Sequence, residues 1–136
     1  MRQITRDAGQ ALHNRQPFKR GNTTVEVNGR CDMDPERSAK MRLHGHVIAE
    51  FVHTGKIHYD WNGPYYEDYH YSIDSCGYMT HTTKERLNGI PGIQVVQRKG
   101  VWYLNGKEWD GSRVSVYRNT THDFYHPYIL YGRLEE

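Results

Sequence analysis

Residues 75–90, SCGYMTHTTKERLNGI, carry helix start and stop signals inside a chain otherwise patterned for strands. Thr82 followed by Glu85 has capping-box spacing. The threonine oxygen accepts from the Glu85 amide, and the Glu85 carboxylate reaches back to the Thr82 amide. These residues predict a helix over about 82–88. Gly89 is expected to end it in the left-handed conformation, and Pro91 prevents its continuation. Leu87 is the inward residue of this helix, and Lys84 and Arg86 are left for solvent or a partner. So short a helix is not stable alone, so the fold must come from the strands around it.

Those strands follow a period of two. Met41, Leu43, Gly45, Val47, Ala49 and Phe51 alternate with Arg42, His44, His46, Ile48 and Glu50, which predicts one strand with an apolar face. Thr23–Val27 is β-branched and ends at the Asn28-Gly29 turn signal. Ile57, Tyr59 and Trp61 predict a returning strand broken by Asn62-Gly63-Pro64. Residues 65–69, YYEDY, read as an exposed aromatic and acidic loop, and Tyr69, Tyr71 and Ile73 begin the next alternation. Further strands are expected over Ile93–Arg98, Val101–Leu104 and Arg113–Tyr117, with Asn105-Gly106 as a type I′ hairpin signal. Residues 1–17 read as a short helix or flexible arm, and residues 118–136 as an aromatic tail docking on the body. The expected fold is a β-rich α+β domain spanning residues 1–136, an antiparallel meander sheet or small open barrel with one short capped helix.

Composition narrows the function classes only slightly. The formal net charge of +2 neither demands nor excludes an anionic partner. Eleven tyrosines against three Phe and three Trp suit a thin sheet, an interface or a base-stacking surface. No apolar run approaches a membrane span or a secretory leader, so a cytoplasmic protein with free Cys31 and Cys76 is expected.

Gly77–Asn88 followed by Val101–Gly106 resembles a family of short tailed-bacteriophage proteins. In that family a strand like Leu43–Ala49 precedes a glycine–aromatic turn, a T-x-T-T-x-x-R-[IL]-N helix and a Trp-Tyr strand. The resemblance covers roughly residues 20–115. It implies an accessory protein made in the host cytoplasm, and it carries over no catalytic or binding residue.

The chemistry-bearing residues point to binding rather than catalysis. His44 and His46 are two apart on one strand and are expected on the same face, and His58 and His70 are candidates to join them on a metal. No His-x-x-x-His or Cys-x-x-Cys spacing supports that, so neither a metal nor another cofactor is expected. Asp32, Asp34, Glu67 and Asp68 lack a spacing that specifies a nuclease metal pocket, which leaves a metal-dependent nuclease as a second alternative. Cys76 lacks an evident base to make it a nucleophile. The favoured reading is nucleic-acid binding, with single strands among the candidate ligands, by Arg42, His44, His46, Tyr78, Lys84 and Arg86, with the helix N-terminus offering amides to phosphate. The alternative is a host-protein inhibitor presenting Tyr65, Tyr66 and Tyr69. Phe124, Tyr125, Tyr128 and Tyr131 are candidates for self-association.

Overall fold

The computed structural model describes the backbone of residues 2–28, 38–60, 63–118 and 130–133, and the side chains within 2–28, 38–52 and 69–116. After helix α1 (Gln3–Asn14) come β1 (Phe18–Arg20), β2 (Thr23–Asn28), β3 (Ser38–Leu43), β4 (His46–Asp60) and β5 (Gly63–Ile73). Helix α2 (His81–Asn88) and the strands β6 (Val95–Arg98), β7 (Val101–Leu104) and β8 (Lys107–Glu108) follow. The chain then returns through β9 (Val114–Arg118) and β10 (Leu130–Arg133). The main sheet has the order β1-β2-β3-β4-β5-β9-β10, and β6-β7-β8 form a second sheet. Every pairing is antiparallel. The fold is a β-rich α+β meander, open because its edge strands β1 and β10 do not pair, and interrupted between β5 and β9 by α2 and the small sheet.

The long alternation over residues 41–51 is a hairpin rather than one strand. His44 and Gly45 both take positive φ, 52° and 84°, and Leu43 pairs with His46 across them. That is a two-residue turn of the I′ kind, matched to the twist of the strands it joins. The turn is anchored where the His44 amide donates to the Asn22 carbonyl at 2.9 Å. Asn105-Gly106 forms the expected turn, with φ of 49° and 86°. The expected tyrosine loop is strand backbone, because β5 starts at Gly63 and pairs with β4 on to Ile73, with two shifts of register. Tyr69 is buried and stacks on Phe51 at 4.6 Å, which removes it from any exposed epitope. The side chains of Tyr65, Tyr66 and His58 lie outside the described residues, as do Cys31, Trp61 and residues 119–129.

One apolar face of the main sheet carries Val25, Met41, Phe51, Tyr71 and Val116, all buried. Helix α1 contributes Thr5, Ala8, Gly9 and Leu12 at helical spacing on its buried face. Burial holds the Tyr71 phenol well above its ordinary pKa, and its oxygen lies 2.6 Å from His13 Nδ1 of α1. Helix α1 ends with Arg15 in the left-handed conformation, its amide donating to Leu12, before Pro17. From the second sheet, Val95, Trp102 and Leu104 complete the core. Trp109, just after β8, joins them, and its indole N–H donates to the Ser112 carbonyl at 2.7 Å.

Candidate binding groove beside helix α2

Helix α2 starts earlier than Thr82. Thr80 is the N-cap, its hydroxyl accepting from the Thr83 amide at 3.2 Å. Thr80 has the extended backbone that an N-cap needs, whereas Thr82 lies inside the helix. Glu85 is thereby released from the capping box and accepts from the Thr5 hydroxyl of α1 at 2.9 Å. Gly89 ends the helix with φ −78° and ψ −14°, so its backbone is right-handed. Glycine is required there for space instead. A Cβ on Gly89 would lie 2.2 Å from the Thr5 carbonyl oxygen, and one on Gly9 would lie 1.8 Å from the Gly89 carbonyl oxygen.

Arg86 is not available to a partner. It is 1% exposed, its Nε donates to the Thr23 hydroxyl of β2 at 3.0 Å, and one terminal nitrogen donates to Thr5 at 2.8 Å. The same nitrogen is 3.2 Å from Glu85. Burial lowers the Arg86 pKa, and the adjacent Glu85 carboxylate opposes that shift. For Glu85, burial raises the pKa, but the Thr5 hydroxyl and then Arg2 and Arg86 lower it more, so the carboxyl sits below its ordinary value. Asn88 grips β6 from the other side, accepting from the Val95 amide at 2.6 Å and donating to its carbonyl at 2.9 Å. Thr80, Thr83, Arg86, Leu87 and Asn88 thus serve to cap, bury or tether the helix.

The open space lies at the N-terminal end of α2. A groove of about 400 Å³ runs between the His44-Gly45 turn and the first turn of the helix. His44, His46, Tyr78, Thr80 and Thr82 line it, with Leu43 and Ile48 among its apolar residues. The preceding corner is a tight turn, with Cys76 and Gly77 at φ of 55° and 81° and the Tyr78 amide donating to Ser75 at 2.9 Å. It projects Tyr78, which is 53% exposed and lies against the His46 ring at a centroid distance of 4.9 Å. Thr80 satisfies the Thr83 amide, and helix geometry leaves the amides of His81 and Thr82 without partners in the helix. These donors and the helix dipole favour an anion at this end.

The residues expected to bind nucleic acid therefore separate. His44, His46 and Tyr78 come together, through a turn rather than along a strand. Arg42 braces that turn, donating to Glu26 at 3.0 Å and to the Gly45 carbonyl at 3.1 Å. Lys84 turns toward the second sheet, its Nζ 3.3 Å from Gln97 Oε1 and 6.0 Å from the Trp102 ring centroid. Thr80 and Thr82 are the lining residues that motif reading assigned to the helix alone. The Cys76 thiol lies 3.1 Å from the Val47 carbonyl, and burial, with Asp74 nearby, raises its pKa. It is a packed corner residue rather than an activated nucleophile. Among the described residues no group of three or more His, Cys, Asp or Glu side chains is placed to hold a metal ion.

The family model described as Kyanoviridae Gp96 protein matches residues 1–130. The chain belongs to this family of tailed-phage proteins. No curated protein and no solved structure matches it. The Kyanoviridae Gp96 match spans both helices, both sheets and the groove, which supports an accessory role in a phage. Among the described residues no helix is long and apolar enough to cross a membrane.

Proposed function

We propose that this phage accessory protein acts by binding, without catalysis, and that its ligand is single-stranded nucleic acid. The observation that carries this reading is Tyr78, a half-exposed ring beside His46 at the mouth of a groove that also holds the N-terminus of α2. A base stacks on Tyr78, and its flanking phosphate is received by the helix amides and the Thr82 hydroxyl. A duplex keeps its bases stacked inside and has no ring face to offer Tyr78. With Arg86 buried and Arg42 engaged with Glu26, few cations meet the backbone, so binding depends only shallowly on salt.

The test is fluorescence anisotropy of labelled single- and double-stranded oligonucleotides at low and physiological salt. The expected result is a preference for single strands and a loss of about tenfold in Tyr78→Ala, as stacking on one aromatic is worth about 1–3 kcal/mol per base. Equal binding by Tyr78→Ala would remove the groove from the site. No binding at low salt would remove the nucleic acid.

A further inference from the structure

The described lining of the groove beside α2 contains no Lys, Arg, Asp or Glu. Its titratable side chains are His44, His46 and Tyr78, and both histidines are exposed. The charges packed around it are engaged elsewhere. Arg42 of β3 holds Glu26 and the Gly45 carbonyl, and Glu50 of β4 lies 3.6 Å from Arg113. At the corner, Asp74 accepts from the Cys76 amide, and the Cys76 thiol lies against the Val47 carbonyl. On α2, His81 lies 3.7 Å from Glu85, which also meets Arg2 and Arg86, while Lys84 meets Gln97. Whatever positive charge the groove walls supply must therefore come from imidazoles.

We propose that binding at this groove is linked to proton uptake by His44 and His46. The proposal rests on the single-stranded nucleic acid inferred above, whose phosphate the two imidazolium rings meet. Histidine is the side chain whose charge ordinarily changes between about pH 5 and 8. The Thr23 hydroxyl donates to Asn22 Oδ1 at 2.8 Å, so the amide nitrogen of Asn22 is the end that meets His44 Nε2, at 3.4 Å. That nitrogen donates, and only a neutral imidazole can accept at Nε2. Protonation exchanges this long, exposed contact for an N–H donor, which releases the ring to face an anion across the groove from the start of α2. His46 lies 4.9 Å from the Tyr78 ring, tilted by 34°. A charged imidazole is attracted to the tyrosine face, which steadies the platform on which a base stacks. Phosphate favours the imidazolium form, so binding takes up protons and tightens as pH falls.

The test is fluorescence anisotropy of labelled oligothymidylate with the full chain at about pH 8 and about pH 5.5, across a salt series. Thymine and the diester phosphates keep their charge over this range, so a change in affinity reports the protein. Affinity should rise about tenfold at the lower pH, the size of two exposed ion pairs. The salt dependence should steepen by about 0.7 in logarithmic slope for each imidazolium that meets a phosphate. His44→Asn/His46→Phe keeps an Asn-Gly turn and a ring beside Tyr78 but removes both protons. Melting curves at both pH values verify its fold. Its ratio of affinities at the two pH values should fall toward one, whereas His81→Gln should keep the wild-type ratio. Binding that is equally tight and equally salt-dependent at both pH values would overturn the proposal and leave the nucleic-acid reading standing. A wild-type ratio in the double variant, or a lost ratio in His81→Gln, would assign the proton uptake to other groups and overturn it as well. No binding at either pH would instead remove the nucleic acid itself.

Discussion

The C-terminal half of α2 is packed into α1, β2 and β6, whereas its first turn borders an open groove. At the packed end, Arg86 is buried and hydrogen-bonded to Thr5 and Thr23, and glycines 9 and 89 let two backbones meet. At the open end, Tyr78 and Met79 are exposed large apolar residues, and Thr82 faces space. The two ends belong to one short helix and one sequence motif. The difference teaches that a distinctive motif can be mostly architectural. Its charged residue anchors the helix, and the binding candidates come from the turn before it and from a hairpin far away in sequence.

Substitutions can break this contrast, beginning at the packed end. Gly9→Ala puts a methyl group into the Gly89 carbonyl, and both partners are backbone that can move only by separating the helices. It should cost about 3 kcal/mol or more, or prevent folding, as overpacking against backbone does. A normal denaturant midpoint would show that the helices do not cross this closely. Arg86→Met keeps length but removes the N–H donors that the Thr5 and Thr23 hydroxyls and Glu85 accept from. The expected loss is about 3 kcal/mol in chemical denaturation, in the range for breaking a buried pair. A wild-type midpoint would return Arg86 to the surface.

The pH dependence sharpens the same comparison. The Glu85 carboxyl has a lower pKa folded than unfolded, through Thr5, Arg2 and Arg86 acting against burial. Its contribution is therefore present above the unfolded value, about 4.3, and is lost as pH falls through the lower folded value. Glu85→Gln should flatten the acid side of the stability profile below about pH 5 and leave the profile shape near neutrality unchanged. Parallel acid limbs in the two proteins would contradict the anchoring role. The smallest effect belongs to the open end: Tyr78→Ala should change stability by less than about 0.5 kcal/mol, as exposed substitutions do. A large loss there would make Tyr78 a packing residue and weaken its claim to be a ligand platform.

Much of the fold was legible because local signals agree with it. Alternation placed Tyr69, Tyr71 and Ile73 in a strand, and Asn105-Gly106 in a tight turn. At the β3–β4 hairpin the turn signal is the dipeptide His44-Gly45. Histidine is among the residues enriched at positive φ, but here apolar alternation continued on both sides of the turn and masked it. The site was less legible. His44, His46 and Tyr78 are brought together by a hairpin and a corner, whereas Lys84 and Arg86, candidates as cations on the helix, turn to Gln97 and into the core. Tyr65, Tyr66 and Tyr69 looked like an exposed loop because Gly63-Pro64 reads as a break, yet an antiparallel pairing with β4 runs through it.

By itself the sequence determined the strand-rich class, the short helix and most of its turns, since these rest on contacts between near neighbours. Only the tertiary structure decided which threonine caps α2, what Gly89 is for, and that Arg86 is buried. The reason is physical. Capping, close approach and charge burial depend on what the rest of the chain brings alongside. Here that is the Thr5 face of α1 and the Thr23 edge of β2, 81 and 63 residues from Arg86 in sequence.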